Sequence, residues 1–262
     1  MIPGAKIEQR DPPLPPDQIL PTMYDLPSED PEEPGLPDEF HDLQPQLLSA
    51  TLQLSTYAAD NRFTGTDLNL YYDIRQPLWY KRPDWFLVLG VPRLYQGQDL
   101  RLSYVLWQEG VSPFVVVELI SPGTEAEDLG QVKPSANQPP TKWQVYEQIL
   151  RVPYYIVYNR YSNQLQAFGL KEGTYQPLEL THQKLWIPQL NLGLGLWQGT
   201  YQGISRHWLR WYNPRNWIST EAEQERQRAE QAEAKLLRSQ QQQQRLIEQL
   251  RARGIDPDEL LS

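Results

Sequence analysis

Apolar residues recur at helical spacing in the first patterned segment of this 262-residue chain. They predict an amphipathic helix from Asp38 through Tyr57, because apolar side chains three and four positions apart share one helical face. Short runs of aromatic and β-branched residues follow and are typical of strands. The predicted strands are Leu68–Tyr72, Trp85–Val91, Phe114–Ile120 and Tyr154–Tyr158. A second helix is predicted over Lys142–Leu150, where helical spacing returns before Pro153.

The pattern beyond residue 160 is that of further β-structure. Gln164–Leu170 and Tyr175–Leu180 are separated by the turn sequence KEGT and predict a hairpin. The region 185–216 is rich in glycine and aromatic residues and predicts more strands and a closing turn. The order of helix, strands, helix and strand therefore predicts an α/β sandwich around a mixed sheet.

A different composition begins near Ser219 and predicts a long C-terminal helix. Thr220 followed by Glu223 is a capping-box pattern, and Gly254 with Pro257 would end the helix. A heptad seam can be traced through Ala222, Ala229, Ala232, Leu236, Ser239, Leu246 and Leu250, and it is interrupted at Glu225 and Gln243. A weak coiled coil that joins copies of the chain and a solvated single helix are equally compatible with this pattern.

The net charge of −9 divides the chain into the same three parts. Residues 1–37 hold ten of the 24 prolines, eight acids and two bases, which predicts a disordered acidic arm. Residues 38–216 are nearly neutral and form the predicted folded domain, and 217–262 form the helical tail. A neutral domain lacks the broad basic surface of a strong duplex-binding protein, which counts mildly against nucleic acid as a substrate.

The absence of cysteine excludes disulfide bonds, thiolate metal sites and a cysteine nucleophile. No run of about 18 apolar residues is present, so no membrane-spanning helix is predicted. The first residues also lack the apolar stretch of a signal peptide. We therefore expect a cytoplasmic protein.

Two acids stand in otherwise apolar strands and are the first candidates for chemistry. Asp84 precedes the run WFLVLGV, and Glu118 interrupts FVVVELI. An ionised carboxylate is costly in such surroundings unless it is paired or binds a metal, and two of them on neighbouring strands can converge on one divalent cation. The alternative is that Asp84 caps a turn and Glu118 reaches solvent at a strand end.

Lys142 opens the helix that follows Glu118, and it is the third candidate. A lysine there can orient an attacking water or stabilise charge on a phosphate in the transition state. A surface lysine whose stem lies along the protein is an equally frequent arrangement.

These residues lie within a set of motifs that resembles a known family. The motifs, in order, are Pro83-Asp84, Val117-Glu118-Leu119-Ile120-Ser121-Pro122-Gly123-Thr124, Asp128-Leu129-Gly130, and Lys142 with Tyr146. Together they resemble the Uma-type restriction endonucleases of cyanobacteria, within the PD-(D/E)xK nuclease superfamily. The chain departs from the strict ExK pattern, because Ile120 stands where the superfamily has its lysine. The resemblance implies that the following helix supplies the lysine in a K-x-x-x-Y arrangement.

The resemblance implies a restriction-endonuclease-like core of helix, three strands, helix and strand that hydrolyses phosphodiester bonds of DNA. Asp84 and Glu118 would hold Mg²⁺, or Mn²⁺, with the backbone carbonyl of Leu119 as a further ligand. Lys142 would position the nucleophile, with Lys133 as its competitor because the connection from Gly130 to Thr141 is long.

The remaining polar candidates have simpler interpretations. Glu39 and His41 could lie beside the site, as in some members of the superfamily, although a helix-start acid and a surface histidine are the favoured interpretations. Ser121 and Thr124 fit turn chemistry better than nucleophilic catalysis, and His182 and His207 have no ligand spacing.

Two other functions compete with the nuclease. One is a catalytically inactive nuclease fold that serves as an interaction platform and assembles through its helical tail. The weaker one is a hydrolase with a carboxylate pair, such as a glycosidase, which the many Trp and Tyr residues suggest.

Overall fold

The computed structural model of the protein describes residues 38–121, 125–132 and 138–253. Its strands within those ranges are β1 Arg62–Thr66, β2 Leu70–Tyr71, β3 Tyr80–Lys81, β4 Trp85–Leu89, β5 Tyr104–Val105, β6 Val115–Leu119, β7 Tyr154–Asn159, β8 Gln164–Lys171, β9 Thr174–Pro177, β10 Lys184–Ile187, β11 Leu192–Tyr201 and β12 Ile204–Tyr212. The α-helices are α1 Glu39–Thr51, α2 Leu106–Glu109, α3 Glu125–Asp128, α4 Lys142–Gln144 and α5 Glu221–Ala252. Helix α4 continues as a π-helical turn over Val145–Ile149, and 3-10 turns span Ala59–Asn61 and Pro188–Leu190.

A mixed six-stranded sheet in the order β1-β4-β6-β7-β8-β9 forms the centre of the fold. Its strands β1, β4 and β6 pair antiparallel, whereas β6 and β7 pair parallel. A parallel pair needs a crossover, and α3 and α4 lie in that connection. The predicted order of helix, three strands, helix and strand is thus confirmed by α1, the strands β1, β4 and β6, the α4 segment and β7.

The central sheet is covered on both faces, so its strands are apolar on both sides. Trp85, Val115 and Val117 pack on one face into a core that includes α1 and the strands β10–β12. Phe86 and Val116 pack on the other face into a second core with the π-helical turn and the small sheet β3-β2-β5. Because side chains alternate along a strand, the odd and even positions of β4 and β6 belong to different layers.

The first predicted helix is wrong at its C-terminal end, because α1 ends at Thr51 and not at Tyr57. The Arg62 guanidinium donates to the carbonyls of Leu52 at 3.1 Å and Tyr57 at 3.3 Å. An arginine from a later strand therefore satisfies the Leu52 carbonyl, which a helix extending to Tyr57 would have paired within itself.

The strand predicted at Leu68–Tyr72 is shorter and lies in a different sheet. It is β2, which pairs with β3 and β5, while the edge strand of the central sheet is Arg62–Thr66. The edge strand carries Gly65 because a Cβ there would lie 2.3 Å from the ring of Phe86. A short strand with a glycine and polar residues has no clear apolar pattern.

The later β-structure and the C-terminal helix are confirmed. Strands β8 and β9 form the predicted hairpin, and β10-β11-β12 form an antiparallel sheet. The capping box of Thr220 and Glu223 opens α5. Gly254, Pro257 and the acidic arm lie outside the described residues, so the three domain boundaries stay predictions. In the part of the chain that the structure describes, none of the helices is suited to cross a membrane.

Candidate active site

Glu118 stands near the end of β6, where its side chain is fully buried. Each of its carboxylate oxygens has its own donor. The Tyr146 hydroxyl donates to Oε1 at 2.7 Å, and the Lys142 ammonium donates to Oε2 at 3.0 Å. The side chain of Glu118 therefore points into the second core, towards the α4 segment, and does not reach solvent.

The K-x-x-x-Y spacing explains how one helical segment supplies both donors. Residues four apart lie on the same side of a helix, so Lys142 and Tyr146 face Glu118 together. Thr141 caps the segment by accepting from the Gln144 backbone N–H, and Glu127 accepts the Lys142 backbone N–H at 3.0 Å. The π-helical turn over Val145–Ile149 carries Tyr146, and such turns are frequent at functional sites.

Asp84 lies beside Glu118 at the start of β4. The register pairs Trp85 with Val117, so the residue before Trp85 faces the residue after Val117. The Oδ2 atom of Asp84 accepts the backbone N–H of Leu119 at 2.6 Å, which fixes the carboxylate at the strand end. Asp84 is half-buried, so part of this residue is accessible to solvent.

Asp128 is a third carboxylate of the cluster, and its role was not predicted from the sequence. Its Oδ1 lies 3.0 Å from the Lys142 ammonium, yet among the described residues neither of its buried oxygens receives a hydrogen bond of good geometry. Gly130 has a φ of +68°, and a Cβ there would lie 2.7 Å from the Trp143 ring. This glycine lets the chain after α3 turn tightly beneath Trp143.

We call Asp84, Glu118, Asp128 and Lys142 the carboxylate cluster. Burial and the neighbouring carboxylates Asp84 and Asp128 raise the pKa of Glu118 well above its ordinary value, although Lys142 opposes them. Burial also raises the pKa of Asp84. Burial works to lower the pKa of the Lys142 ammonium, but Glu118, Asp128 and Asp84 raise it well above the ordinary value. Lys142 is therefore charged, and one ammonium faces three carboxylates.

His41 is buried, so the surface interpretation of this residue is wrong. Its Nε2 lies 2.9 Å from the Leu119 carbonyl oxygen and its Nδ1 lies 2.9 Å from Asp38 Oδ1. Burial works to lower the pKa of His41, but the bond to Asp38 and the charge of Asp84 raise it above the ordinary value. In the charged form both ring nitrogens donate, and the ring fixes the carbonyl of Leu119. Glu39 is exposed, as expected for a helix-start acid.

The oxygen atoms of the carboxylate cluster suit a hard divalent cation. In the described ranges, no group of three His, Asp or Glu side chains is arranged to hold a metal by itself. The predicted ligand set needs only two side chains, Asp84 and Glu118, with the carbonyl of Leu119. Two observations fit a cation here: the three carboxylates outnumber the single ammonium, and neither buried oxygen of Asp128 receives a hydrogen bond of good geometry from a described residue, although Lys142 lies 3.0 Å from Oδ1.

The other predicted candidates are placed as follows. Ile120 is buried and apolar, so the lysine of the strict ExK pattern has no equivalent on this strand. Ser121, two residues after β6, is buried, whereas His182 is exposed and His207 is half-buried. Lys133 and Thr124 lie outside the described residues. Lys142 lies 3.0 Å from both Glu118 and Asp128, and its role as the site lysine stays a prediction.

Comparison with known proteins shows which family the chain is similar to. A model of the Uma2 family, described as putative restriction endonuclease, matches residues 18–202. The match covers more than two thirds of the chain and contains the whole carboxylate cluster. No curated protein matches the chain.

Proposed function

The chain belongs to the Uma2 family of putative restriction endonucleases, and we propose that it is a metal-dependent endonuclease that hydrolyses phosphodiester bonds of DNA. Its mixed α/β fold is consistent with a restriction-endonuclease-like fold. The observation that carries the proposal is the contact of the Lys142 ammonium with Glu118 and Asp128, each at 3.0 Å, beside Asp84. A cluster of carboxylates around one charged lysine combines oxygen ligands for a cation with a donor for a phosphate oxygen.

In this proposal Asp84, Glu118 and the Leu119 carbonyl hold Mg²⁺, or Mn²⁺. A bound divalent cation would activate water and polarise the phosphodiester. Tyr146 orients Glu118 through its hydrogen bond to Oε1, and the ring of His41 holds the peptide that carries the Leu119 carbonyl. These contacts set the direction of the proposed ligand atoms before the substrate arrives.

Lys142 acts in the proposal as a charged donor and not as a general base, because its raised pKa keeps the ammonium protonated. A protonated lysine can hold the attacking water or stabilise negative charge on the phosphate. Asp128 keeps the ammonium in place through their contact of 3.0 Å. Asp84 and Lys142 are both partly exposed, which gives a phosphate a route to the cluster.

The test is a cleavage assay with plasmid and linear DNA in the presence of Mg²⁺ or Mn²⁺. We expect the wild type to cleave, and we expect Asp84→Ala and Glu118→Ala to lower the rate at least about a hundredfold, since each removes a metal ligand. Glu125→Ala is the matched control, because Glu125 is an exposed acid on α3 close to Asp128. A wild type that neither cleaves nor binds metal, or ligand variants that cleave like the control, would contradict the proposal.

The second candidate is the inactive interaction platform, and the surface of α5 favours assembly. Leu236 and Leu246 are exposed by 60% and 57% on a helix whose described residues are otherwise largely exposed. Residues 221–233 hold five acids and two bases, whereas 234–252 hold one acid and four bases. This asymmetry favours an antiparallel pair of α5 helices from two copies of the chain, because opposite charges then face each other.

Light scattering of the full chain tests this assembly. We expect a dimer for the wild type and a monomer for Leu236→Glu with Leu246→Glu, because both residues lie on the predicted seam. Gln241→Glu is the control on the opposite side of the helix. A monomeric wild type would contradict assembly, and the cleavage assay then distinguishes a platform from an enzyme. The cytoplasmic location stays a prediction.

A further inference from the structure

A depression of about 420 Å³ lies on the three-stranded sheet β10-β11-β12, away from the carboxylate cluster. Its lining includes Lys184, Trp186, Tyr212, Arg215, Asn216 and Trp217. We call it the aromatic depression. Gly193 pairs with Trp186 on one side and Tyr212 on the other, and a Cβ at Gly193 would lie 2.0 Å from the Tyr212 ring. The glycine therefore lets the tyrosine ring lie across the middle strand.

Three aromatic rings of the depression form a connected surface. The ring centroids of Trp186 and Tyr212 lie 6.0 Å apart, and those of Tyr212 and Trp217 lie 5.3 Å apart at 70°. Trp186 is 37% exposed, so part of its indole is available to a ligand. Exposed aromatic rings of this kind stack with planar groups, and nucleobases are the planar groups that DNA supplies.

The depression also carries two positively charged side chains, Lys184 and Arg215. The Lys184 ammonium lies 4.6 Å from the centroid of Trp217 and 5.3 Å from that of Tyr212. Neither Lys184 nor Arg215 forms an ion pair with a described residue, and the lining contains no Asp or Glu. Aromatic cages of this type usually bind a cationic ligand, but here the ammonium of Lys184 occupies the position of that ligand. The matching ligand is therefore an anion with a planar face.

We propose that the aromatic depression binds one unpaired nucleotide of a nucleic-acid strand. The base stacks on Trp186, and the phosphate lies against Lys184 and Arg215. A paired base does not expose its face, so the depression selects single-stranded or frayed DNA over duplex. The inference rests on the proposed function only for the choice of DNA as the strand, since binding at this place needs neither the metal nor the carboxylate cluster.

The depression and the carboxylate cluster belong to different layers of the molecule. Trp211, next to Tyr212, points the other way and lies 6.0 Å from Trp85 between ring centroids, in the core below the sheet. Trp85 in turn follows Asp84 in the chain. A variant in the depression can therefore change strand binding without touching the atoms proposed for catalysis.

The experiment measures the fluorescence anisotropy of a labelled oligothymidylate with the full-length chain in EDTA, which prevents cleavage. We expect Trp186→Ala to weaken binding by about tenfold, because it removes a stacking surface. Trp107→Ala is the matched control, because Trp107 is 38% exposed and lies in α2 outside the depression. We expect this control to bind like the wild type.

Two further measurements test the two halves of the ligand separately. An abasic oligonucleotide of the same length should bind the wild type and Trp186→Ala with the same low affinity, because an abasic strand has no base to stack. Lys184→Gln should lower the slope of log affinity against log salt by about 1, since one phosphate contact is lost. Thermal unfolding of each variant checks that it is folded.

The outcomes separate this inference from the nuclease. Equal effects of Trp186→Ala and Trp107→Ala, or equal affinity for the abasic strand and the oligothymidylate, would overturn the nucleotide site even if the protein cleaves DNA. A protein without cleavage activity that still loses strand binding through Trp186→Ala would keep the site and remove the proposed function. Tighter binding of duplex than of the single strand would overturn the inference as well.

Discussion

The carboxylate cluster and the aromatic depression have opposite charge balances. In the first, three buried or half-buried carboxylates face one ammonium. In the second, the Lys184 ammonium lies beside two aromatic rings, and the described lining also contains Arg215 but no carboxylate. Burial strengthens electrostatic interactions, so the excess negative charge of the cluster is the more costly of the two. The cluster is therefore suited to a bound cation, and the depression to a bound anion.

The largest expected effect comes from the lysine of the carboxylate cluster. Lys142→Met removes the ammonium that pairs with the buried carboxylates of Glu118 and Asp128, which is expected to cost about 3 to 5 kcal/mol of the free energy of unfolding. Urea unfolding at neutral pH measures this. Lys184→Met in the aromatic depression is the matched control, and we expect a change within about 0.5 kcal/mol because Lys184 forms no ion pair with any described residue.

The pH dependence of Lys142→Met follows from the raised pKa of Glu118. A carboxyl whose pKa is raised in the folded state contributes stability below its unfolded pKa and loses it as the pH rises through the folded value. Without Lys142 that folded value rises further. The variant should therefore regain stability on acidification, and purification at acidic pH keeps it folded. If Lys142→Met and Lys184→Met lowered the free energy of unfolding equally, the difference in charge balance between the carboxylate cluster and the aromatic depression would be contradicted.

Two of the three acids of the carboxylate cluster could be predicted from the sequence because each is a charge next to or within an apolar strand. Asp84 and Glu118 stood out for that reason, and the structure places them side by side. Lys142 depended on the resemblance, since the connection before it is long and no spacing argument reaches across it. The K-x-x-x-Y arrangement of Lys142 and Tyr146 was likewise an implication of the resemblance, and both side chains contact Glu118.

Asp128 and His41 could not be placed from local patterns. Asp128 follows Glu125 and Glu127, and three acids in four residues are typical of a solvated face. Only the tertiary contact with Lys142 shows that one of them points inward. His41 is a single histidine on a helix, and its partner Leu119 lies 78 residues away in the chain. Contacts over such separations depend on the topology of the sheet, which periodicity does not encode.

A smaller effect with the opposite sign is expected when one carboxylate is removed from the cluster. Asp128→Asn keeps the size of the side chain and removes one of three like charges, while Lys142 retains Glu118 as its partner. We expect the melting temperature at neutral pH to rise by about 2 to 4 °C, which corresponds to about 1 kcal/mol for a domain of this size. Glu125→Gln on the same helix is the control, and it should change the melting temperature little because Glu125 is exposed.

The pH at which this gain appears identifies its cause. Burial and the charges of Asp84 and Asp128 raise the pKa of Glu118 in the wild type, so the wild type loses stability as the pH rises through that value. Asp128→Asn lowers the pKa of Glu118 towards its ordinary value, so the variant should lose less stability than the wild type over the same rise in pH. The gain should therefore be present at neutral pH and vanish on acidification, where Glu118 is protonated in both proteins.

Because a cation relieves the same repulsion, Mg²⁺ should raise the melting temperature of the wild type more than that of Asp128→Asn. If Asp128→Asn were less stable than the wild type at neutral pH, the attraction between Asp128 and Lys142 would outweigh the repulsion among the three carboxylates. The excess negative charge of the carboxylate cluster would then not be destabilising, and the contrast with the aromatic depression would fail.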